Sequence, residues 1–270
     1  MKKARLDQLL VEKGLVSSRE RARSLVMEGK VLVDGRMIDK AGTPVSLQAV
    51  ITIKEEVLPF VSRGGLKLKK AIDEFALNVS GTTCLDAGAS TGGFTDCLLQ
   101  EGAKKVYAVD VGYGQLHWKL RQDSRVINLE QVNARYISRK EISEEIDIAV
   151  IDVSFISIEK ILEPVSALLK EGGKVIALVK PQFQAGRGAA KKGVVRDKEI
   201  HKKVIIEVIR RAPEFGLFFI GCTYSPVKGP KGNIEYPVFL LKGGKELYGE
   251  ISGFEEKVNL VVDEAFLKLN

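Results

Sequence analysis

Leu85-Asp86-Ala87-Gly88-Ala89-Ser90-Thr91-Gly92-Gly93-Phe94-Thr95-Asp96 is the stretch that decides how the chain is read. Thr82 to Leu85 reads as a short buried strand. Phe94, Cys97, Leu98 and Leu99 then recur at helical spacing up to Gly102. A glycine-rich turn between strand and helix lets a ligand approach the backbone and aims the helix's first free N–H groups at an anion. The glycines run G-x-x-x-G-G from Gly88 to Gly93, unlike the G-x-G-x-x-G of a dinucleotide site, and an acid, Asp86, closes the strand. That carboxylate repels a pyrophosphate and favours a ligand carrying both an ammonium and a carboxylate. The ligand inferred is S-adenosylmethionine, held by its amino-acid end, with Asp86, Gly88, Ser90, Thr91, Gly92 and Gly93 as the candidate cradle.

Lys104 to Asp110 is the next strand, and Asp110 ends it where doubly wound folds place a ribose-binding acid, about 20 residues on. The bland alternative is a tight turn in a nucleotide-free domain. Arg125 to Leu129 reads as a third strand. Asn133 follows, either at an adenine edge or capping its own loop. His117 and Trp118, single aromatic residues in a helix over 115–121, read as packing.

With 270 residues the chain suits one domain of average size plus a small appendage. The net charge of +7 favours a polyanionic partner. Cys84, Cys97 and Cys222 are widely spaced, and with His117 and His201 they make no metal-ligand pattern, so no metal is expected and a reducing compartment fits. No apolar run approaches a membrane span, and Met1-Lys2-Lys3 opens no signal sequence. A cytoplasmic protein without a membrane partner is expected.

The first sixty residues form a separate basic segment. Leu6, Leu9, Leu10 and Val11 make one apolar stripe, and Ser17-Ser18 caps a second helix whose Ala22, Leu25 and Val26 face inward. A strand over 30–33 runs into the hairpin signal Asp34-Gly35. Arg5, Arg19 and Arg23 are candidate phosphate contacts, or else a solvated face. The order Arg5-Leu6-Asp7-x-Leu9-Leu10-Val11, then Ser18-Arg19-x-x-Ala22-x-x-Leu25-x-x-x-Gly29-x-Val31-x-Val33-Asp34-Gly35, resembles the S4 RNA-binding domain. That resemblance implies recognition of structured RNA, usually ribosomal.

Beyond a linker around Pro59 the division expected is 1–58 and 59–270. Four further residues stand out. Asp152 ends the apolar strand Ile146 to Ile151, and Lys180 ends Lys174 to Val179. Lys67 opens the second domain in Ser62-Arg63-Gly64-Gly65-Leu66-Lys67. Glu235 begins the late strand Ile234 to Leu241. If that strand is antiparallel, its start lies beside the ends of the parallel ones, and all four side chains meet at one mouth. A ribose 2′-hydroxyl attacking a methyl needs a partner for its departing proton, and a lysine oriented by carboxylates can serve. The bland alternative is two surface ion pairs. Arg63, and Arg187 in the basic loop 184–193, are further candidate RNA contacts.

Lys67, Asp152, Lys180 and Glu235 match the Lys-Asp-Lys-Glu tetrad of the FtsJ/RrmJ-type RNA 2′-O-methyltransferases, which this chain resembles. With the S4-like segment, the full length resembles the TlyA family, also labelled hemolysin A. The resemblance implies a Rossmann-like α/β methyltransferase fold, a mostly parallel sheet with a late antiparallel strand, preceded by a small α+β S4 domain. It also implies cytidine 2′-O-methylation of ribosomal RNA in one or both ribosomal subunits, with Lys180 as base and the other three supporting it. Two other functions are weighed against this one: an inert ribosome-assembly factor, and a membrane-lysing hemolysin.

Overall fold

The structure is a computed structural model and describes residues 3–16, 18–27, 29–53, 58–185, 193–243 and 253–269. The chain divides into two compact units, Met1–Leu58 and Pro59–Asn270.

In the first unit, β1 (Lys3–Arg5) leads directly into α1 (Leu6–Glu12), followed by α2 (Arg19–Met27), β2 (Val31–Val33), β3 (Arg36–Met37), β4 (Pro44–Ser46) and β5 (Ile51–Ile53). β2 pairs antiparallel with β3 and β5, and β1 with β4. The turn joining β2 to β3 is Asp34-Gly35, with φ of +49° and +78°, the double left-handed turn that matches strand twist. Leu6, Leu9, Leu10, Ala22, Leu25, Val26, Val31 and Val45 form the core, as the apolar stripes require. Of the expected cap on α2, Ser17 lies outside the described residues.

One buried residue in this unit is charged. Asp7 has no exposure and accepts hydrogen bonds from Arg5 Nε and Nη2 (3.0 Å each), Arg19 Nη2 (3.3 Å) and Arg23 Nε (3.3 Å). Sequence reading had these arginines gripping phosphate or solvated; it missed the acid that holds them together.

The second unit is built on a seven-stranded sheet. Its elements are α3 (Gly64–Glu74), β6 (Thr83–Ala87), α4 (Gly93–Gln100), β7 (Lys105–Asp110), α5 (Trp118–Arg121), β8 (Val126–Glu130), β9 (Ile146–Ile151), α6 (Glu159–Leu168), β10 (Leu169–Val179), α7 (Pro181–Gln184), α8 (Lys198–Arg211), β11 (Leu217–Cys222), β12 (Tyr236–Lys242) and α9 (Phe254–Leu269). The strand order is β11-β12-β10-β9-β6-β7-β8. β6 to β10 pair in parallel, while β12 runs antiparallel to both β10 and β11. Parallel strands covered on both faces read as continuous apolar runs, which is why β9 from Ile148 and β10 from Val175 onwards are uniformly aliphatic. The chain order reverses between β6 and β9, and ligands of doubly wound sheets bind in the crevice at that switch.

Two expectations need correcting. The helix over 115–121 shrinks to α5, because His117 is its N-cap and accepts from the Lys119 N–H. Trp118 is exposed rather than packed. The loop 186–192, with Arg187, lies outside the described residues.

The Asp7 cluster makes a stability prediction. Hydrogen bonds from Arg5 first, then from Arg23 and Arg19, outweigh burial and hold the Asp7 carboxyl well below its ordinary range. A depressed folded value means the stabilisation is complete above the unfolded value near 4 and is lost only as pH falls through the folded one. Asp7→Asn should destabilise the first unit by about 2 kcal/mol, the worth of charge-assisted hydrogen bonds, read as faster amide hydrogen exchange in β2. Protection in the parent should persist well below pH 4, and its loss near pH 4 would contradict the cluster.

Candidate active site

The turn after β6 is shaped by what its glycines face. Gly88 has φ +96°, and a Cβ there would lie 2.6 Å from the Asp152 carbonyl oxygen, so the β6 and β9 ends can meet only if residue 88 is glycine. They do meet: Asp152 N–H donates to the Ala87 carbonyl at 2.9 Å. Gly93, at the start of α4, is packed as tightly against the start of α3, where a Cβ would come 2.9 Å from Gly65 N. That approach sets Lys67, one turn into α3, over the glycine turn. Phe60 is buried beside Gly65, and Val61 N–H donates to Asp96 Oδ2 at 2.8 Å, so both ends of this packing are fixed.

Two adjoining cavities open on this turn. The larger, of about 510 Å³, is lined by Gly88, Ser90, Asp110, Gln115, Asn133 and Phe155 among others. The smaller, of about 320 Å³, includes Ser90, Thr91, Gly93, Lys67, Lys180 and Lys228 in its walls. Gly88, Ser90, Asp152 and Ser154 line both. Asp110 closes the larger cavity by accepting from Ser90 N–H (2.9 Å) and Gly112 N–H (2.7 Å), which ties the glycine turn to the end of β7. Asn133 lines the same cavity while its Oδ1 caps the following turn at Arg135 N–H, 3.0 Å away. The two readings of Asn133 are thus compatible, leaving its amide nitrogen for a ligand.

Asp86 and Gly92 line neither cavity. Asp86 lies fully buried behind the turn, one oxygen accepting from Thr95 Oγ1 at 2.6 Å. Its Oδ1 has no hydrogen-bond partner among the described residues. Burial, aided by the nearby Asp152 and Asp110 and opposed by Thr95, raises this carboxyl to about 7.

The four residues singled out in the sequence gather at the smaller cavity as two ion pairs. Lys180 Nζ lies 2.5 Å from Asp152 Oδ1 and donates to Ser154 Oγ at 3.0 Å. Lys67 Nζ donates to Glu235 Oε2 at 2.5 Å, across 168 residues of chain, and Gln182 Nε2 reaches Glu235 Oε1 at 3.3 Å. These are not surface pairs: both lysine side chains are at most 10% exposed and Glu235 is wholly buried. Ser154 and Gln182 had no assigned role in the sequence, although each sits two residues from a tetrad member. Phe155 was also missed. It adopts φ +63°, rare for a bulky residue, stays almost fully exposed at the mouth, and its ring lies 4.8 Å from that of Phe183. Arg63 lines the smaller cavity too. Among the described residues no cluster of metal-ligating side chains occurs.

A seven-stranded sheet of this order, with a glycine turn, a ribose-type acid and a lysine–carboxylate tetrad at the strand ends, defines a Rossmann-like methyltransferase joined to a small RNA-binding-type unit. Residues 60–242 match the FtsJ-like methyltransferase family and residues 4–51 the S4 domain. The chain belongs to the FtsJ-like methyltransferase family, among the S4-fused proteins named TlyA or hemolysin A. It is 41% identical over 265 residues, 97% of this chain and 98% of the relative, to the Mycobacterium tuberculosis 16S/23S rRNA (cytidine-2′-O)-methyltransferase TlyA. A Bacillus subtilis protein provisionally named an rRNA methyltransferase, YqxC, is 46% identical over 98% of this chain and 94% of its own. A solved Streptococcus thermophilus structure, provisionally named a hemolysin, superposes with a TM-score of 0.78 at 44% identity, covering 99% of this chain and 97% of that one.

Removing one member of a buried pair leaves the other charge uncompensated. Glu235→Ala should therefore cost about 3 kcal/mol in urea unfolding, whereas Lys67→Met with Glu235→Leu should recover most of it. A single variant within experimental error of the parent would show that Lys67 is solvated after all.

Proposed function

We propose that this chain methylates a cytidine ribose 2′-hydroxyl of ribosomal RNA, as the names of its TlyA relatives describe for them, using S-adenosylmethionine. One observation carries the reading: two lysine–carboxylate pairs, drawn from four distant segments, line a mouth continuous with a cavity built on a glycine turn. The residues fit the cofactor. Asp110 and Asn133 suit its ribose and adenine, and Gly88 and Ser90 line both cavities between these residues and Lys180. The orphaned Asp86 oxygen behind the turn belongs to a buried carboxyl group that a nearby ammonium would draw into its ionised form. Bound there, S-adenosylmethionine supplies an electrophilic methyl group on a sulfonium.

Lys180 receives the acceptor. Ser154 takes one of its N–H groups, and the Asp152 carboxylate 2.5 Å away pairs its charge, so that Nζ is held at the wall of the smaller cavity. In its amine form Lys180 would accept the proton that the 2′-oxygen loses as the oxygen–methyl bond forms and the methyl–sulfur bond breaks, and Asp152 lies where it balances the ammonium so formed. Lys67, clamped by Glu235, adds a second fixed positive charge beside the ribose. General-base assistance is worth about 10² to 10⁴ in rate; the remainder is alignment of oxygen, methyl and sulfur. Phe155, backed by Phe183, offers a ring face on which a target base taken out of its stack can rest. Arg5, Arg19 and Arg23 of the S4 unit, with Arg63 at the mouth, supply phosphate contacts to structured RNA. A cytoplasmic location follows from that substrate. Among the described residues no helix is long and apolar enough to cross a membrane.

Lys180→Ala should lower methyl transfer to ribosomal RNA by about 10³-fold with affinity for S-adenosylmethionine little changed; unaltered transfer rules out this assignment. A second prediction concerns Asp86. Because its free-state value near 7 would be lowered by a nearby ammonium, cofactor binding should release a proton and tighten as pH rises towards 7, then level off. Calorimetry at pH 6 in buffers of different ionisation enthalpy measures this release, and its absence removes Asp86 from the cofactor's surroundings.

A further inference from the structure

A third cavity, of about 400 Å³, lies beside the catalytic mouth, and Arg196, Lys228 and Lys231 project into its walls with Val195, Ile234 and Phe266. Lys228 lines the mouth as well, so the two spaces share a wall. Among the described residues no carboxylate lines this cavity. Most lysines elsewhere in the second unit sit within 4 Å of an acid, as Lys105, Lys170, Lys198 and Lys202 do. Arg196, Lys228 and Lys231 have no acidic partner among the described residues.

The backbone holding these cations is fixed from both sides. The buried Asn233 side chain donates to the Gly193 carbonyl (2.9 Å) and accepts from Val195 N–H (3.3 Å), which ties the Arg196 segment to the turn before β12. Within that turn Gly229 N–H donates to the Asn233 carbonyl at 2.8 Å and Gly232 N–H to that of Gly229 at 3.1 Å. Lys231 sits at φ +59°, a left-handed conformation rarely adopted by a residue with a side chain. Strain of that kind persists where the surroundings over-determine it, and it clusters at binding sites. Glu235 follows two residues after Asn233, so the cavity is anchored to the same segment that clamps Lys67.

Three like charges held together without a counter-charge repel one another, and an anion relieves that repulsion. We infer that Arg196, Lys228 and Lys231 form a phosphate pocket for the RNA strand itself, taking the phosphodiester next to the nucleotide whose ribose enters the mouth. The inference rests on the RNA-methyltransferase reading and adds to it a contact that fixes where the strand lies relative to Lys180. The pocket is apolar on its other walls, so a phosphate there is partly shielded from solvent and its register is well defined. Such a contact carries no base specificity; it positions the strand.

The test is salt-dependent binding of ribosomal RNA purified from cells lacking this methyltransferase. Removing phosphate contacts flattens the dependence of log K on log salt by about 0.7 to 0.9 for each one lost. Arg196→Ala with Lys231→Ala should weaken binding at least tenfold and flatten the slope by about 1.5. It should raise the RNA KM, with kcat at saturating RNA within about twofold, and calorimetry should show S-adenosylmethionine affinity unchanged. Arg196→Lys with Lys231→Arg keeps the charge and should keep the slope. Lys231→Gln alone, at an exposed side chain, should give about half the change and decides the matter if the double variant does not fold. Unchanged affinity and slope, or weaker binding with an unchanged slope, overturns the pocket. Parent protein that binds RNA but transfers no methyl to it defeats the broader proposal while leaving the slope comparison decisive.

Discussion

The hydrogen-bonded pair between Lys67 and Glu235 is what the second unit's working end depends on. It joins the first helix after the linker to the residue that opens β12, and both groups are withdrawn from water. Burying two charges costs more than their attraction returns unless the geometry is good and the remaining lone pairs are satisfied. Here Gln182 takes the second carboxylate oxygen, while Gly229 packs so closely on Glu235 that a side chain there has no room. The pair is therefore a poor way to gain stability and a good way to fix position. It can form only because β12 runs antiparallel to its neighbours, which brings its first residue to the edge where the parallel strands end.

The same edge explains why the glycine turn and the lysines form one site. Doubly wound sheets bind ligands where strand order reverses, and that point falls between β6 and β9. The Gly88 turn follows β6 and Asp152 follows β9, with their backbones bonded to each other. The glycine turn and the Lys180–Asp152 pair thus share a wall, since Gly88, Ser90, Asp152 and Ser154 face both spaces. In-line transfer demands that relation, because donor and acceptor must approach from opposite sides of one carbon. Fold topology supplies it, and the side chains refine it.

What was legible in the sequence follows from this economy. Strand-terminal acids are readable because an apolar run ending in a carboxylate has few explanations other than a crevice, and Asp110 and Asp152 both stand there. Asp86, of the same pattern, is instead sealed behind the turn, because strand-end position does not say on which side of the backbone a side chain falls. Lys67 alone reads as solvated surface; its burial depends on Gly64, Gly65 and Gly93 letting two helices close in, a tertiary event. Phe155 and Ser154 are not legible in the sequence, as nothing local signals that Phe155 takes a left-handed backbone. Trp118 shows the reverse error, an aromatic assigned to packing that stands in solvent. Asp7 was passed over because it interrupts an apolar stripe, and only its three arginine partners show that the interruption is structural.

Comparing the acid–base clusters in the two units separates their tasks. Asp7 is fully buried, but its arginines keep about half of their side-chain surface exposed. Glu235 and Asp152 hold lysines that are nearly covered. Arginine's planar fork can give some of its donors to an internal carboxylate and present the others outward without changing protonation, which suits lasting contact with a phosphate backbone. Lysine is a compact charge whose proton can leave when its surroundings change, which is the property that the proposed methyl transfer asks of a covered lysine. An acid used to splay arginines builds an adhesive surface, and an acid used to aim a lysine builds a reactive one. The chain uses each arrangement in the unit whose exposure it matches, and substituting Arg for Lys180 would keep charge and lose the chemistry.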